Sequence, residues 1–402
     1  MPEGSLAPSP YIAPTYARAP IAFERGEGCE LVSTDGQRYL DFGSGIAVNA
    51  LGHSHPVLVE ALQDQAAKLW HTSNLYEIPH QRTLAQRLVE NSFADLVFFA
   101  NSGAEALEGC IKAARRYHHL RGNPQKYRIV GANSAFHGRT LATISAGNNA
   151  KHLEGFGPRV EGFDHVAFNN LNELRAAITE ETAAVLVEPI QGEGGIAPAD
   201  LAYLKALRET CDEFGILLIY DEVQCGVGRT GRLFAHQWAD GAADPDLIAV
   251  AKGIGGGFPL GCFMGTTEAM AGISAGMHGT TYGGNPLASR IGCAVLDVIL
   301  EPGFMARVYA ASNRLWDALG AVVEDNPHAY SLRRGAGLMQ GVKVADPHTC
   351  GDVVNRLRDH HHVLTVPAGQ NVVRVLPPLI VSDAEIDRAV DAFRAVAADL
   401  RA

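Results

Sequence analysis

Charge is what this 402-residue sequence has least of: 19% of its residues are Asp, Glu, Lys or Arg, against about 25% in an average soluble chain. With 47% hydrophobic residues, that shortage excludes a disordered polymer and calls for extensive burial or a subunit interface. Basic residues are in deficit too, 33 Lys and Arg against 44 Asp and Glu, for a net charge of −11. Such a field repels phosphate backbones and anionic bilayers, so neither nucleic acid nor a membrane is an expected partner. Long apolar sequence is also missing. No run of eighteen apolar residues occurs, and the uncharged stretch Gly253 to Thr267 is broken by glycines and Pro259, so no membrane-spanning helix is expected. The first twenty residues hold five prolines and lack a basic start followed by an apolar block, which does not read as a secretory signal. Seven cysteines stand at wide spacings with no Cys-x-x-Cys. They fit reduced thiols better than a disulfide frame or a zinc site, and the cytoplasm is the expected compartment. Gly-Lys-Ser/Thr is absent, which disfavours an NTPase.

At roughly 150 residues per domain the length points to two domains. The Ala/Pro-rich opening, through about Pro20, reads as an extended arm, because so many prolines exclude a helix or central strand. Residues 30–33 and 37–41 flank the turn Thr34-Asp35-Gly36, a hairpin signal. A helix is expected from Pro56 to about His71. From Asp95 onward, short apolar runs alternate with amphipathic stretches. Residues 96–100, 127–131, 183–188, 216–220 and 247–251 read as buried parallel strands, with helices near 104–121, 171–178, 201–213 and 286–300 as crossovers. After Glu301 come a long helix, strands near 338–344, 363–366 and 372–376, and a closing helix from Asp383. The expected division is an arm with part of a small domain over 1–50, a large α/β domain over 51–300, and a small α+β domain over 301–402.

Candidate chemistry sits where strands end. The run 216–220 delivers Asp221 at its C-terminal edge, where ligands bind in open α/β sheets, although a lone Asp there serves equally as a cap. Lys252 follows the run 247–251 and precedes Gly253 and Gly255-Gly256-Gly257. A strand-end lysine is commonly solvated, but surrounding glycines leave room for a planar ligand, and burial would make the amine a nucleophile toward an aldehyde. Ser102 and Glu105 have capping-box spacing, and a helix starting at Gly103 and Ala104 offers free N–H groups and a positive dipole end to a phosphate. Phe136-His137 supplies aromatic surface for stacking. Arg139 reads as a loop-surface arginine, whereas Arg374, inside a Val/Leu strand, needs a buried anion. Glu188 precedes the glycine-rich segment holding Glu193, and Thr280-Thr281 precedes Tyr282.

Two decoys are set aside. Gly192-x-Gly194-x-x-Ala197 matches a dinucleotide fingerprint, yet Pro189 and Pro198 bracket it and no helix begins in register. The histidines at 53 and 55, 118 and 119, and 360–362 lack Cys or carboxylate partners at ligand spacing, so no metal is expected. A strand-end Asp, a Gly-flanked strand-end Lys, a phosphate-ready helix start and an aromatic stacker together describe a pocket for pyridoxal phosphate.

With these residues the chain resembles the class III, or subgroup II, pyridoxal-phosphate-dependent aminotransferases of fold type I. The matching blocks run from Tyr11 and Asp41-Phe42 through Gly45 to Val48, Leu51-Gly52-His53, Asn101 to Glu105, Phe136 to Arg139, Glu188 to Gly195, Asp221 to Gly231, Lys252 to Pro259 and Thr281 to Pro286. The resemblance implies an α/β fold: a large domain with a mostly parallel central sheet, and a smaller α+β domain. It implies that Lys252 holds the cofactor covalently and shuttles the substrate proton, while Asp221 keeps the pyridine nitrogen protonated. Ser102, Gly103 and Ala104 would form the phosphate cup, Phe136 and His137 the stacking side, and Val223 the opposite face. Gln224 would contact the ring hydroxyl, with Glu188 beside the cofactor. Thr281 would reach the phosphate from a second subunit, which implies a homodimer with shared active sites. Arg139 and Arg374 would bind carboxylates, Glu193 would pair with Arg374 when a distal-amine donor is bound, and Thr280 stands where relatives carry serine. The implied reaction moves the δ-amino group of N2-acetylornithine to 2-oxoglutarate, giving N-acetylglutamate 5-semialdehyde and glutamate in arginine biosynthesis, with N-succinyl-diaminopimelate a further donor. The alternatives are transamination of ornithine or 4-aminobutyrate and, more remotely, a non-catalytic cofactor-binding regulator.

Overall fold

The apolar runs assemble into one seven-stranded sheet in the computed structural model, which describes residues 9–401. Its spatial order is Leu96–Ala100, Gly261–Gly265, Leu247–Val250, Leu217–Asp221, Thr182–Val187, Arg128–Ala132 and Phe163–Val166. Only Gly261–Gly265 runs against its neighbours. The three strands between Gly261–Gly265 and Arg128–Ala132 are buried along their whole length, as a sheet covered on both faces requires. Leu217 and Ile219 face the helix Gly103–Leu120, which packs Leu107, Cys110 and Ile111 against them. Leu218 and Tyr220 point the other way, toward Leu204, Leu207 and Cys211 of the helix Leu201–Phe214. The period-2 alternation of strand side chains thus sorts one apolar run onto two helical layers.

Two four-stranded sheets flank this layer. One joins Phe23–Glu27, Glu30–Ser33 and Arg38–Asp41 with Val363–Leu364, which lies parallel to Arg38–Asp41. The other is antiparallel, in the order Tyr330–Ala336, Met339–Val344, Val372–Val375 and Val366–Ala368. The helix Pro286–Ile299 is buried on every side except at Arg290 and Asp297, so it is a core helix rather than a surface one. It packs against Pro56–Ala66 and Pro79–Glu90. The long helix Phe304–Asp325 and the closing helix Asp383–Asp399 cover the antiparallel sheet. Among the described residues no helix is long and apolar enough to cross a membrane.

Several elements differ from the sequence reading, among them the strands Phe23–Glu27, Phe163–Val166 and Tyr330–Ala336, which it did not name. The helix from Pro56 stops at Ala66, short of His71. Pro79–Glu90 and Gly261–Gly265 were not anticipated. The second of these hides because its glycines read as loop, although they serve close packing: a Cβ on Gly261 would lie 2.5 Å from the Ser102 carbonyl oxygen.

Candidate active site

All the parallel strands end at one edge of the sheet, and a cavity of about 370 Å³ opens there. Adjacent strands bring Lys252, Asp221 and Glu188 to its wall, since Leu247–Val250, Leu217–Asp221 and Thr182–Val187 are neighbours in that order. Asn101, Ser102, Gly103 and Ala104 line it from the start of the helix Gly103–Leu120. Phe136, His137, Glu193, Val223 and Gln224 complete the expected set. Val48, Gly138 and Phe258 to Leu260 also line it. Sequence reasoning gave these no role, because each comes from a loop whose position only the fold reveals.

Lys252 adopts a left-handed backbone with φ of 48°, an uncommon and strained conformation for a residue with a Cβ that is found preferentially at functional sites. Burial pulls its amine down to about 8, Arg374 adds to the shift, and Asp221, Glu193 and Glu188 oppose it. Asp221 is held from two sides. Its Oδ1 accepts the Val223 N–H at 3.0 Å, and its Oδ2 meets His137 Nδ1 at 2.8 Å. Burial disfavours charge on His137, yet that hydrogen bond and the charges of Asp221 and Glu188 raise its pKa. His137 thus orients Asp221 through its ring edge, and both Phe136 and His137 line the cavity. Glu188 is buried, and burial raises its carboxyl to about 7, with Asp221 adding to the shift. One of its oxygens accepts the Phe136 N–H at 3.1 Å and the other the Gly192 N–H at 3.3 Å, so it braces two loops.

The helix start has half of the capping box that its spacing suggests, with Glu105 reaching one residue beyond the cap. Ser102 accepts the Glu105 N–H at 3.2 Å, while the Glu105 carboxylate reaches back to the Asn101 N–H at 2.6 Å. The N–H groups of Gly103 and Ala104, in the first turn, have no carbonyl inside the helix to bond. Gly103 is needed for close packing, because a Cβ there would lie 2.7 Å from Val223 Cγ1.

The remaining expected residues are divided. Arg374, in Val372–Val375, is 2% exposed and pairs with Glu193 at 2.6 Å. Its Nη2 donates to the Pro367 carbonyl at 3.1 Å. Arg139 is exposed and lies outside the cavity lining, its guanidinium 5.4 Å from the Phe136 ring centre. Thr280 Oγ1 accepts from Asn101 at 3.4 Å, next to the cavity. Thr281 is exposed and does not line the cavity of its own chain.

The chemistry of this wall fits pyridoxal phosphate. His137 Nε2 and Gln224 Oε1 are buried without partners among the described residues, so polar groups are available in the wall of the cavity that Lys252 also lines. The free N–H groups of the helix start supply an anion cradle, and Val223 with Phe136 offers two apolar faces. A strand-end lysine, a braced carboxylate and a phosphate cradle on a mostly parallel sheet define a cofactor-dependent enzyme of the transaminase kind. The Aminotransferase class-III family matches residues 11–397, and the chain belongs to that family of pyridoxal-phosphate-dependent aminotransferases. An acetylornithine aminotransferase of Mesorhizobium japonicum is 59% identical over 386 residues, covering 96% of each chain. The crystal structure of N-acetylornithine aminotransferase from Stenotrophomonas maltophilia superposes with a TM-score of 0.83 at 35% identity, covering 96% of this chain and 97% of that one. The ornithine aminotransferase of Toxoplasma gondii superposes with a TM-score of 0.92 at 31% identity, covering 97% and 94%.

Proposed function

We propose that the chain transfers the δ-amino group of N2-acetylornithine to 2-oxoglutarate, with Lys252 and Asp221 as its catalytic residues. Pyridoxal phosphate, when bound, supplies an electrophilic carbonyl and an electron-withdrawing ring. Lys252 would hold the cofactor, and its lowered pKa leaves roughly a tenth of the free amine neutral at pH 7 and about half at pH 8, able to take a proton from the donor's amine-bearing carbon. The Asp221 carboxylate, oriented by His137 and the Val223 N–H, would keep a proton on the ring nitrogen through a charge-assisted hydrogen bond. Ser102, Gly103 and Ala104 would receive the phosphate. Phe136 and Val223 would enclose the ring, Gln224 would meet its hydroxyl, and Glu188 would hold the loops on either side in register.

The pairing of Arg374 with Glu193 carries the substrate reading. A donor with a distal amine brings no carboxylate to Arg374, and Glu193 neutralises that buried cation. The Glu193 side chain is 40% exposed, free to swing aside when the α-carboxylate of 2-oxoglutarate arrives. Arg139 would take the remaining carboxylate, and Thr280 would contact the substrate. Ornithine and 4-aminobutyrate satisfy the same switch. Ornithine is favoured by the backbone likeness to an ornithine aminotransferase, and the acetylated donor by the higher identity to relatives of that name. Single-turnover bleaching of the cofactor's visible band by each donor tests the choice: acetylornithine should react fastest, and faster conversion by ornithine or 4-aminobutyrate would overturn it. No bleaching by any donor would favour a regulator.

Assembly as a homodimer belongs to the same reading. Trp70, Leu75, Tyr76 and Tyr282 are 65%, 87%, 68% and 63% exposed. Asn74 ties their two segments together by donating to the carbonyls of Thr280 and Gly283 at 3.3 and 3.1 Å. This apolar surface beside Thr281 supports a second subunit there, with Thr281 reaching the other cavity. Native mass measurement of a monomer would contradict it. The cytoplasm is supported by the seven unpaired cysteines.

A further inference from the structure

Among the described residues Arg229 is the largest fully buried side chain, 2% exposed, and it makes no salt bridge there. It lies in the loop that continues from Asp221, Val223 and Gln224, four residues past the Cys225 thiol that points back to the Asp221 carbonyl. Its Nη1 donates to the carbonyl oxygens of Leu338, at 3.1 Å, and of Pro377. Burial lowers the guanidinium to about 10, and the Asp41 carboxylate opposes the shift from beyond ion-pair reach. At neutral pH the group is therefore a cation offset mainly by carbonyl dipoles, an arrangement that holds only if its geometry is tightly fixed.

The two carbonyls are not arbitrary. Leu338 precedes the strand Met339–Val344, and Pro377 follows Val372–Val375. These strands are antiparallel, with Gln340 opposite Val375, so extending that register by two residues sets Leu338 opposite Pro377. The guanidinium bridges both chain ends just past the last ladder bond. The backbone holds the same end, since the Leu338 N–H donates to the Arg229 carbonyl at 2.9 Å. Gly337, with φ of 60°, makes the approach possible; a Cβ there would lie 2.5 Å from the Arg229 carbonyl oxygen. Arg374 stands on the clamped strand, three residues before Pro377.

We infer that Arg229 is a positioning residue for acceptor binding: it clamps the sheet bearing Arg374 to the loop bearing Asp221, and so sets where the buried arginine stands relative to Lys252. This rests on the reading of Arg374 as the binder of the acceptor's carboxylate. The clamp never touches substrate, and its effect falls on the half-reaction that uses Arg374 directly.

The test is a double-mutant cycle on the holoenzyme with Arg229→Met and Arg374→Lys, measuring KM for 2-oxoglutarate and the single-turnover rate with the amino donor. Arg229→Met should raise the acceptor KM by about tenfold while the donor rate stays within about threefold, a loss smaller than the roughly 10²-fold that a 1 Å misplacement can cost in rate. In the Arg374→Lys background the same change should add less than about twofold, as expected when one residue acts through another. An unchanged acceptor KM, equal loss in both half-reactions, or full additivity would overturn the clamp. Should Arg229→Met not fold, Gly337→Ala displaces the clamp from its other side and must give the same split. If Arg374→Lys itself leaves the acceptor KM unchanged, the role of Arg374 fails; if it raises that KM and the Arg229 and Gly337 variants do not, the clamp alone fails.

Discussion

Arg374 and Glu193 meet at 2.6 Å, the guanidinium buried on a strand and the carboxylate partly exposed on a glycine-rich loop. One partner is fixed and the other can leave, so the pair can present either a neutralised or a bare cation to whatever enters the cavity.

Glu193→Gln should therefore shift preference toward donors with two carboxylates. The ratio of single-turnover rates, glutamate over the distal-amine donor, should rise roughly fivefold, the equivalent of ~1 kcal/mol for a partly exposed pair. An unchanged ratio would show that the pairing has no part in donor selection.

Asp221→Ala removes the one hydrogen-bond partner that His137 Nδ1 has among the described residues. The variant should still bind the cofactor, since Lys252 and the helix start are intact, but turnover should fall about 10³-fold, the scale lost with an electrostatic group in a dry site. Cofactor stoichiometry and kcat measured on one preparation check both halves.

The Lys252 amine, drawn to about 8 by burial, sets a pH dependence for uptake of the cofactor by the apoenzyme. Only the neutral amine adds to an aldehyde, so the association rate should climb with pH up to about 8 and then level. A rise continuing toward pH 10 would mean an ordinary, solvated lysine.

Much of this was readable before the fold. An apolar run ending in a charged residue is a weak signal alone, and Asp221 and Lys252 gained weight only beside the glycines after Lys252 and the helix start at Gly103. Their adjacency was not legible, because strand order depends on contacts far apart in sequence. Gly261–Gly265 escaped notice because its apolar run is only Cys262 to Met264, and the flanking glycines, of which Gly261 lets the strand pass close to Ser102, read as loop. His137 stood out for its ring alone; the 2.8 Å contact with Asp221 adds a second task that the sequence did not suggest. Arg229 carried no signal at all, since an arginine among glycines reads as a surface residue, and its burial follows from the meeting of three distant segments.

Chemical trapping of the holoenzyme tests the central claim most directly. Borohydride reduction followed by peptide mass mapping should find the phosphopyridoxyl group on Lys252 alone, at one per chain. Attachment to any other lysine, or none, would contradict the account.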